Sequence, residues 1–324
     1  MAYLFKIVEK RSFESLMVKF VTWHCLVDKN DNVLVACSGG PDSVALIHAL
    51  KSQKDLLKIN LVIAHVNHNF RQNSQNDALF VENLAKKLGL SFLCKSVVVE
   101  SDGNLEDNAR KVRHESLNEM AIETRCSKIA LGHTSSDKAE TVLHNIARGA
   151  GTKGFSSLRP TNCNLIRPIL FASRKDILDY LNEIDQDYIT DETNANTAFS
   201  RNRIRHNVIP ELEHIFPQAS RNIARLSSII EEESKFLNEL AKKDLEKYVT
   251  EAVDGRILSI TLFAKLHFVL QRRILLLLCE DEYLSLSHLD DLIKFILYSE
   301  PNKKAHLGVK TFVKVDKHRL QIMP

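Results

Sequence analysis

Short apolar runs alternate along the first part of the chain with longer stretches whose apolar positions recur every three or four residues. The runs Val33–Cys37, Leu61–Val66, Ser91–Val99 and Lys128–Leu131 are predicted as strands. Between them, helices are predicted over 10–25, from Ser43 to about Leu50, and over Asp77–Leu88, Asn104–Thr124 and Asp137–Arg148. Val33–Cys37 is apolar throughout, as a parallel strand covered on both faces should be. Strands and helices in this alternation argue for βαβ units. The expected fold is α/β, an open, mainly parallel sheet with helices on both faces.

Beyond Pro217 the pattern changes. Ala219–Tyr248 reads as one long amphipathic helix, with Ile223, Leu226, Ile230, Leu237 and Leu240 on its apolar side. A short strand over 256–260, helices near 262–280 and 287–299, and a basic, strand-rich end over 306–323 follow. We therefore expect two domains, 1–216 and 217–324, the second mostly helical.

In open α/β sheets ligands lie beyond the carboxyl ends of the strands. Ser38, Gly39 and Gly40 follow the first strand, His65, Asn67 and His68 end the second, and Gly132 and His133 follow the fourth. Three strand ends thus bring polar groups to one edge. Gly39 and Gly40 allow a tight turn with uncovered N–H groups, and the following helix adds the positive end of its dipole, so the turn is an anion cradle. Ser38 and Ser43 add hydroxyl donors. Neither GxGxxG nor GK[ST] follows the strand, which argues against a dinucleotide site and an ordinary P-loop. Asp42 is unsuited to a bare phosphate and suits either Mg²⁺ or a helix terminus.

Asp137 and Glu140, three apart on a predicted helix, share a face and suit Mg²⁺ or a substrate ammonium. Arg110 and Arg113 form a basic pair at the same spacing; Arg201, Arg203 and Arg205, alternating along the chain, suit phosphates of a nucleotide or of an RNA backbone. His65 and His68 lack the further ligands that a zinc site needs.

At 44% hydrophobic and 26% charged residues, the 324-residue chain has an ordinary globular balance. Its longest greasy run, Ile274–Cys279, is too short to span a bilayer, and the start does not read as a signal peptide, so a cytoplasmic protein is expected. Cys25, Cys37, Cys94, Cys126, Cys163 and Cys279 stand singly, without a C-x-x-C pair. From residue 301 onward Lys303, Lys304, Lys310, Lys314, Lys317 and Arg319 face only Asp316, an expected nucleic-acid surface.

The stretch VACSGGPDS resembles the pyrophosphate loop of the N-type ATP pyrophosphatases, the PP-loop superfamily. Further stretches in order, HVNHNFR (His65–Arg71), NLEDNARKVRHESL (Asn104–Leu117), LGHTSSDKAETVLHNIARGAG (Leu131–Gly151), IRPIL (Ile166–Leu170) and DETNANTAFSRNRIRHNVIPEL (Asp191–Leu212), resemble the tRNA(Ile)-lysidine synthases within it. His114 stands where the family usually has tyrosine, and Ser136 where a second acid is common. The resemblance implies ATP as co-substrate with Mg²⁺, and the minor isoleucine tRNA with a CAU anticodon and free L-lysine as partners. The implied reaction adenylates C2 of the first anticodon cytidine and joins lysine to it.

By this resemblance Ser38, Gly39, Gly40, Pro41, Asp42, Ser43, His65, Arg110, Arg113 and His133 bind ATP, and Asp42 and Asp137 hold the metal. Asp42, Asp137, Glu140, Arg201 and Arg205 are the expected catalytic set. The rival readings are a cytidine thiolase, which would need paired cysteines, and a nucleotide-regulated RNA-binding module, which would have no use for Asp137 and Glu140.

Overall fold

The computed structural model describes residues 12–67, 74–98, 105–150, 152–155, 158–190, 200–252, 255–278, 284–306, 312–316 and 319–323. The chain divides into two compact units, one of Met1–Ala147 with Ser157–Leu226, the other of Arg148–Ser156 with Ser227–Pro324.

The first unit opens with α1 (Phe13–Trp23), β1 (Asn32–Ala36), α2 (Pro41–Leu57), β2 (Asn60–Asn67), α3 (Ser74–Leu88) and β3 (Ser91–Ser96). It continues through α4 (Leu105–Glu123), β4 (Lys128–Ala130) and α5 (Ser135–Ala147). The short α6 (Thr152–Phe155) belongs to the second unit; β5 (Thr161–Asn162), β6 (Leu165–Ile166), α7 (Arg174–Glu183), α8 (Ser200–Arg203) and α9 (Ile209–Ile215) return to the first. Five residues of π-helix, Ile204–Val208, join α8 to α9. The strand order is β3-β2-β1-β4-β6-β5, all parallel except β5.

Strand alternation feeds two apolar layers. Val33 and Val35 of β1 join Ile63 in a core with Met17 and Val21 of α1, Leu46 and Leu50 of α2, and Ile177 and Leu181 of α7. Leu34 points the other way and joins Ala64, Ile129 and Leu131 against Leu117, Met120 and Ala121 of α4. Both faces of β1 are therefore dry, which is why its apolar run is unbroken. After β3 the chain crosses back over β1 to place β4 on its other side. The crevice at this reversal, between the carboxyl ends of β1 and β4, is where such sheets bind ligands. The open, mainly parallel sheet read from the sequence is the one observed.

The second unit has both helices and a sheet, so it carries more strand than the expectation of a mostly helical domain allows. The long helix α10 (Ala219–Tyr248) leads into it. It then has β7 (Val249–Ala252), β8 (Gly255–Ser259), α11 (Ile260–Phe263), α12 (Phe268–Leu278), α13 (Leu286–Tyr298), β9 (Lys304–His306), β10 (Phe312–Asp316) and β11 (Arg319–Met323). The strands form a five-stranded antiparallel sheet, β7-β8-β11-β10-β9. Leu258, Val313, Val315, Leu320 and Ile322 pack against Phe263, Ile274, Leu275, Leu289 and Leu292. The strand β7 follows α10 without an intervening turn, so helical periodicity hides it, and β8 pairs with β11 from the far end of the unit. The helix expected near 262–280 is two helices, α11 and α12.

No helix among the described residues is long and apolar enough to cross a membrane.

Candidate active site

The turn after β1 is built around two glycines with different tasks. Gly39 has φ +86°, a left-handed conformation that side chains disfavour, and a Cβ there would collide with the Ile189 side chain. Its carbonyl accepts from the Ile189 N–H at 2.9 Å, pinning the loop from the segment after α7. Gly40 is the N-cap of α2 in ordinary extended geometry (φ −71°) and Pro41 opens the helix. The helices α1, α7 and α13 are capped by Ser12, Ser173 and Ser285; Gly40 has no side chain with which to cap α2. First-turn N–H groups are thereby left for a ligand. Inside the turn Ser43 Oγ donates to the Gly40 carbonyl at 2.9 Å and accepts from the Ser38 N–H at 3.3 Å.

Neighbouring strand ends close on this turn. His65 lies buried at the end of β2, with Nδ1 2.8 Å from the Cys37 carbonyl, so that nitrogen donates. Burial first of all lowers its pKa. Gly132, just beyond β4, has no room for a Cβ, which would lie 3.1 Å from the Asp42 carbonyl carbon and the Ser43 nitrogen. That close approach brings the start of α5 beside the start of α2.

Three carboxylates meet there. Asp42 pairs with Arg174 Nη1 at 2.7 Å through Oδ2, while its Oδ1 is buried and has no hydrogen-bond partner. Burial, assisted by Asp137 and opposed by Arg174, raises its pKa. Asp137 accepts from the Thr134 N–H and hydroxyl at 2.8 and 2.9 Å through Oδ2, and from Arg205 Nη2 at 2.7 Å through Oδ1. Burial acts to raise its pKa, but the Arg205 guanidinium and the Thr134 donors outweigh it and lower the pKa overall. Glu140, 2% exposed, receives Arg205 Nε at 2.6 Å and Nη2 at 2.9 Å in a bidentate pair, with Arg201 Nε at 3.5 Å. Burial nonetheless raises its pKa.

Helical geometry explains the double grip. Arg201 and Arg205 are four apart and share a face, while Arg203 is exposed. Pro210 has no N–H to offer the His206 carbonyl, and the chain instead widens into the π-turn, with the Ile209 N–H bonding to Ile204 O. Such turns recur at functional sites. Below, His144 on the same face of α5 meets the Ser200 hydroxyl at 3.1 Å.

On the other side of His133 lies a cluster of arginines. Arg113 Nε is buried without a partner, and burial, then the charges of Arg110 and Arg201, lower its pKa. His114 is depressed by burial and then by Arg113, Arg110 and Arg167. Arg167, 4% exposed, donates from Nε to His133 Nδ1 at 3.1 Å and from Nη1 to the Arg159 carbonyl at 2.8 Å. A buried guanidinium with an unused N–H, beside further arginines, suits an anion.

The sequence-predicted residues Asp42, Asp137, Glu140, Arg201 and Arg205 are thus in one constellation, with Arg110, Arg113 and His133 beside it. His68, Arg71 and the stretch 191–199 lie outside the described residues. Thr134, Arg167 and Arg174 are new. Thr134 stands three before Asp137 and Ser173 three before Asp176, the spacing of a capping box, so both helix starts were signalled. Arg174 is the residue after the second cap. Arg167 stands within the stretch IRPIL, but a two-residue strand carries no periodic signal.

Among the described residues no three or more His, Cys, Asp or Glu side chains group to hold a metal ion. Magnesium needs less, since it binds through one or two carboxylates plus phosphates and water. The orphaned Asp42 Oδ1, close enough to Asp137 for each charge to affect the other, fits that requirement.

Residues 8–212 match the family model of the PP-loop domain. The chain belongs to the PP-loop family. It is similar to the tRNA(Ile)-lysidine synthase of Thermosipho africanus, 35% identical over 237 residues that cover 72% of this chain and 54% of the relative. The tRNA(Ile)-lysidine synthase of Clostridioides difficile is 32% identical over 306 residues, covering 90% of this chain and 66% of the relative; that of Bacillus cereus is 31% identical, covering 90% and 65%. The chain therefore spans between about half and two thirds of the length of these relatives. The U34-tRNA thiolase NcsA of Methanococcus maripaludis shares the fold, with a TM-score of 0.56 over 68% of this chain and 78% of that one, at 20% identity.

Proposed function

We propose that this PP-loop enzyme is a tRNA(Ile)-lysidine synthase, which adenylates C2 of the first anticodon cytidine in the minor isoleucine tRNA (anticodon CAU) and joins free L-lysine there. The observation that carries this is the meeting of an uncapped helix start with three carboxylates, Asp137 and Glu140 buried and both held by Arg205, Asp42 half-buried and paired with Arg174. Residues 1–216 form the proposed catalytic domain and 217–324 the tRNA-recognition domain, in a cytoplasmic protein.

In this reading Gly39, Gly40, Pro41 and Ser43 shape the cradle for the pyrophosphate part of ATP, Ser38 donates to it, and His65 lines the nucleotide pocket. Asp42 and Asp137 hold Mg²⁺, which when bound neutralises charge on the triphosphate. Arg110 and Arg113 balance charge on the departing pyrophosphate, and His133 donates to a phosphate oxygen. The cytosine C2 oxygen attacks the α-phosphorus and pyrophosphate leaves; the lysine ε-amine then attacks C2 and AMP leaves. Glu140 receives the lysine ammonium in place of the Arg205 guanidinium, which occupies that carboxylate in the free chain. Arg201 stays as its second partner.

The thiolase alternative needs paired cysteines to carry sulfur or a cluster, and Cys37 stands singly at the nucleotide. Burial pushes Cys37, beside the cradle, up to about 11, where it is a poor nucleophile. Incubation with ATP, labelled lysine and transcripts of the minor isoleucine tRNA and of methionine tRNA tests the proposal. Label is expected in the isoleucine tRNA alone, with pyrophosphate release that requires it. Label in neither transcript rejects the reaction.

A further inference from the structure

His133 has two nitrogens, and the structure decides which one carries the proton. A guanidinium remains protonated in proteins and has no acceptor, so the 3.1 Å contact from Arg167 Nε to His133 Nδ1 has one possible direction. The Arg167 N–H donates, and Nδ1 must present a lone pair. A neutral imidazole then carries its hydrogen on Nε2. An imidazolium would set N–H against N–H at this contact.

Arg167 is well placed to impose that choice. It follows β6, whose pairing with β4 (Ile129↔Leu165, Ala130↔Ile166) and the Leu131 N–H to Ile166 O bond (2.9 Å) carry it level with the residues after β4. Its Nη1 is anchored on the Arg159 carbonyl and its side chain is buried, so the guanidinium has little freedom to turn away. The surroundings favour the same state. Burial, before any charge effect, pushes His133 down to about 3, and Arg167, Arg113 and Arg201 oppose the attraction of Asp137.

We propose that Arg167 is a positioning residue that locks His133 as a neutral imidazole protonated on Nε2, making it a fixed donor to an anionic oxygen and not an acceptor of a substrate proton. The identity of that oxygen as a phosphate oxygen of ATP rests on the adenylation reading; the tautomer does not. Proton removal from the incoming ammonium then falls to the carboxylates.

Imidazole ¹⁵N–¹H correlation spectra of the ¹⁵N-labelled full chain test this, with His133 signals assigned by their loss in His133→Asn. The wild-type ring should show the Nε2-protonated pattern. Arg167→Met, which removes the donor, should mix in the Nδ1-protonated or doubly protonated form. Arg167→Lys should restore the wild-type pattern through its own N–H. Pyrophosphate release should fall roughly 10- to 100-fold in Arg167→Met, mostly in kcat, and recover in the lysine variant. A wild-type His133 protonated on Nδ1, or an unchanged tautomer in a folded Arg167→Met chain, overturns the proposal. If Arg167→Met does not fold, the wild-type and Arg167→Lys spectra still decide it. Wild-type chain with the expected tautomer but no tRNA-dependent pyrophosphate release would instead reject the adenylation reading and leave the lock standing.

Discussion

Asp42 and Asp137 have the same side chain, share one crevice, and stand in opposite electrostatic situations. The pKa of Asp42 is raised, chiefly by burial, so the folded chain holds its proton more tightly than the unfolded chain does. Its ionised form therefore costs stability, a cost absent at low pH and complete above the raised value. That of Asp137 is lowered despite burial, so it contributes stability above the ordinary carboxylate range, lost as pH falls through the depressed value. Asp42→Asn should thus melt no lower than the parent, and Asp137→Asn lower, since asparagine can still accept from Thr134 but forfeits the Arg205 pair. For a unit of the size of Met1–Ala147 with Ser157–Leu226, about 1 kcal/mol moves the midpoint by roughly 2–4 °C. Both variants should lose pyrophosphate release by at least about 100-fold. Calorimetric melting beside a pyrophosphate assay separates the two effects, and near-normal release in both would remove the metal role. A group that destabilises the resting fold yet is needed for activity is the usual signature of a functional site.

At the scale of elements, the contact between the starts of α2 and α5 is what assembles the crevice. Three glycines serve that turn, and they should not tolerate substitution equally. Gly40→Ala places a Cβ 3.5 Å from Ser38 Oγ at an ordinary φ, and should leave the melting temperature within a degree or two of the parent. Gly39→Ala must hold alanine left-handed, at roughly 1–2 kcal/mol, and also push Ile189 aside. Gly132→Ala meets backbone at 3.1 Å, which cannot rotate away, so the first turn of α2 must shift. A folded Gly132→Ala chain should bind ATP about tenfold more weakly, because the cradle N–H groups are displaced by a fraction of an ångström. ATP titration calorimetry measures this; unchanged affinity would show that the α2–α5 contact is not what sets the cradle.

For the whole molecule, a net charge of +3 says little, whereas its distribution along the second unit says more. In the antiparallel pair β9–β10, Lys304 stands directly opposite Lys314. Like charges in that register repel, and a bound polyanion would relieve them. Lys303 lies beside Glu300 at 3.8 Å in an exposed pair of small worth, and Lys310 is outside the described residues. Neutralising Lys303, Lys304, Lys310 and Lys314 should weaken tRNA binding, reduce its dependence on salt and leave ATP binding intact. Each lost phosphate contact lowers the slope of log affinity against log salt by about 0.7–0.9. Such contacts position RNA without reading bases, so isoleucine and methionine tRNAs should be affected alike. Filter binding across a salt series checks it; an unchanged slope leaves these lysines as a solvated face.

The α/β order, the anion cradle and the acids of α5 could be read from sequence because each is local. A strand's apolar run, a glycine turn and a three-residue helical spacing are properties of contiguous residues. The second sheet could not be read in full, because β8 meets β11 across some sixty intervening positions and short strands carry little periodicity. Partnerships were decided only by the tertiary structure, for the same reason. Nothing in the order of residues says that Arg205, rather than Arg203, reaches Glu140 and Asp137, or that Arg174 takes Asp42. Nor could the sequence choose the nitrogen of His133 that carries the proton. That choice depends on a guanidinium thirty-four positions away, brought alongside by the pairing of two short strands.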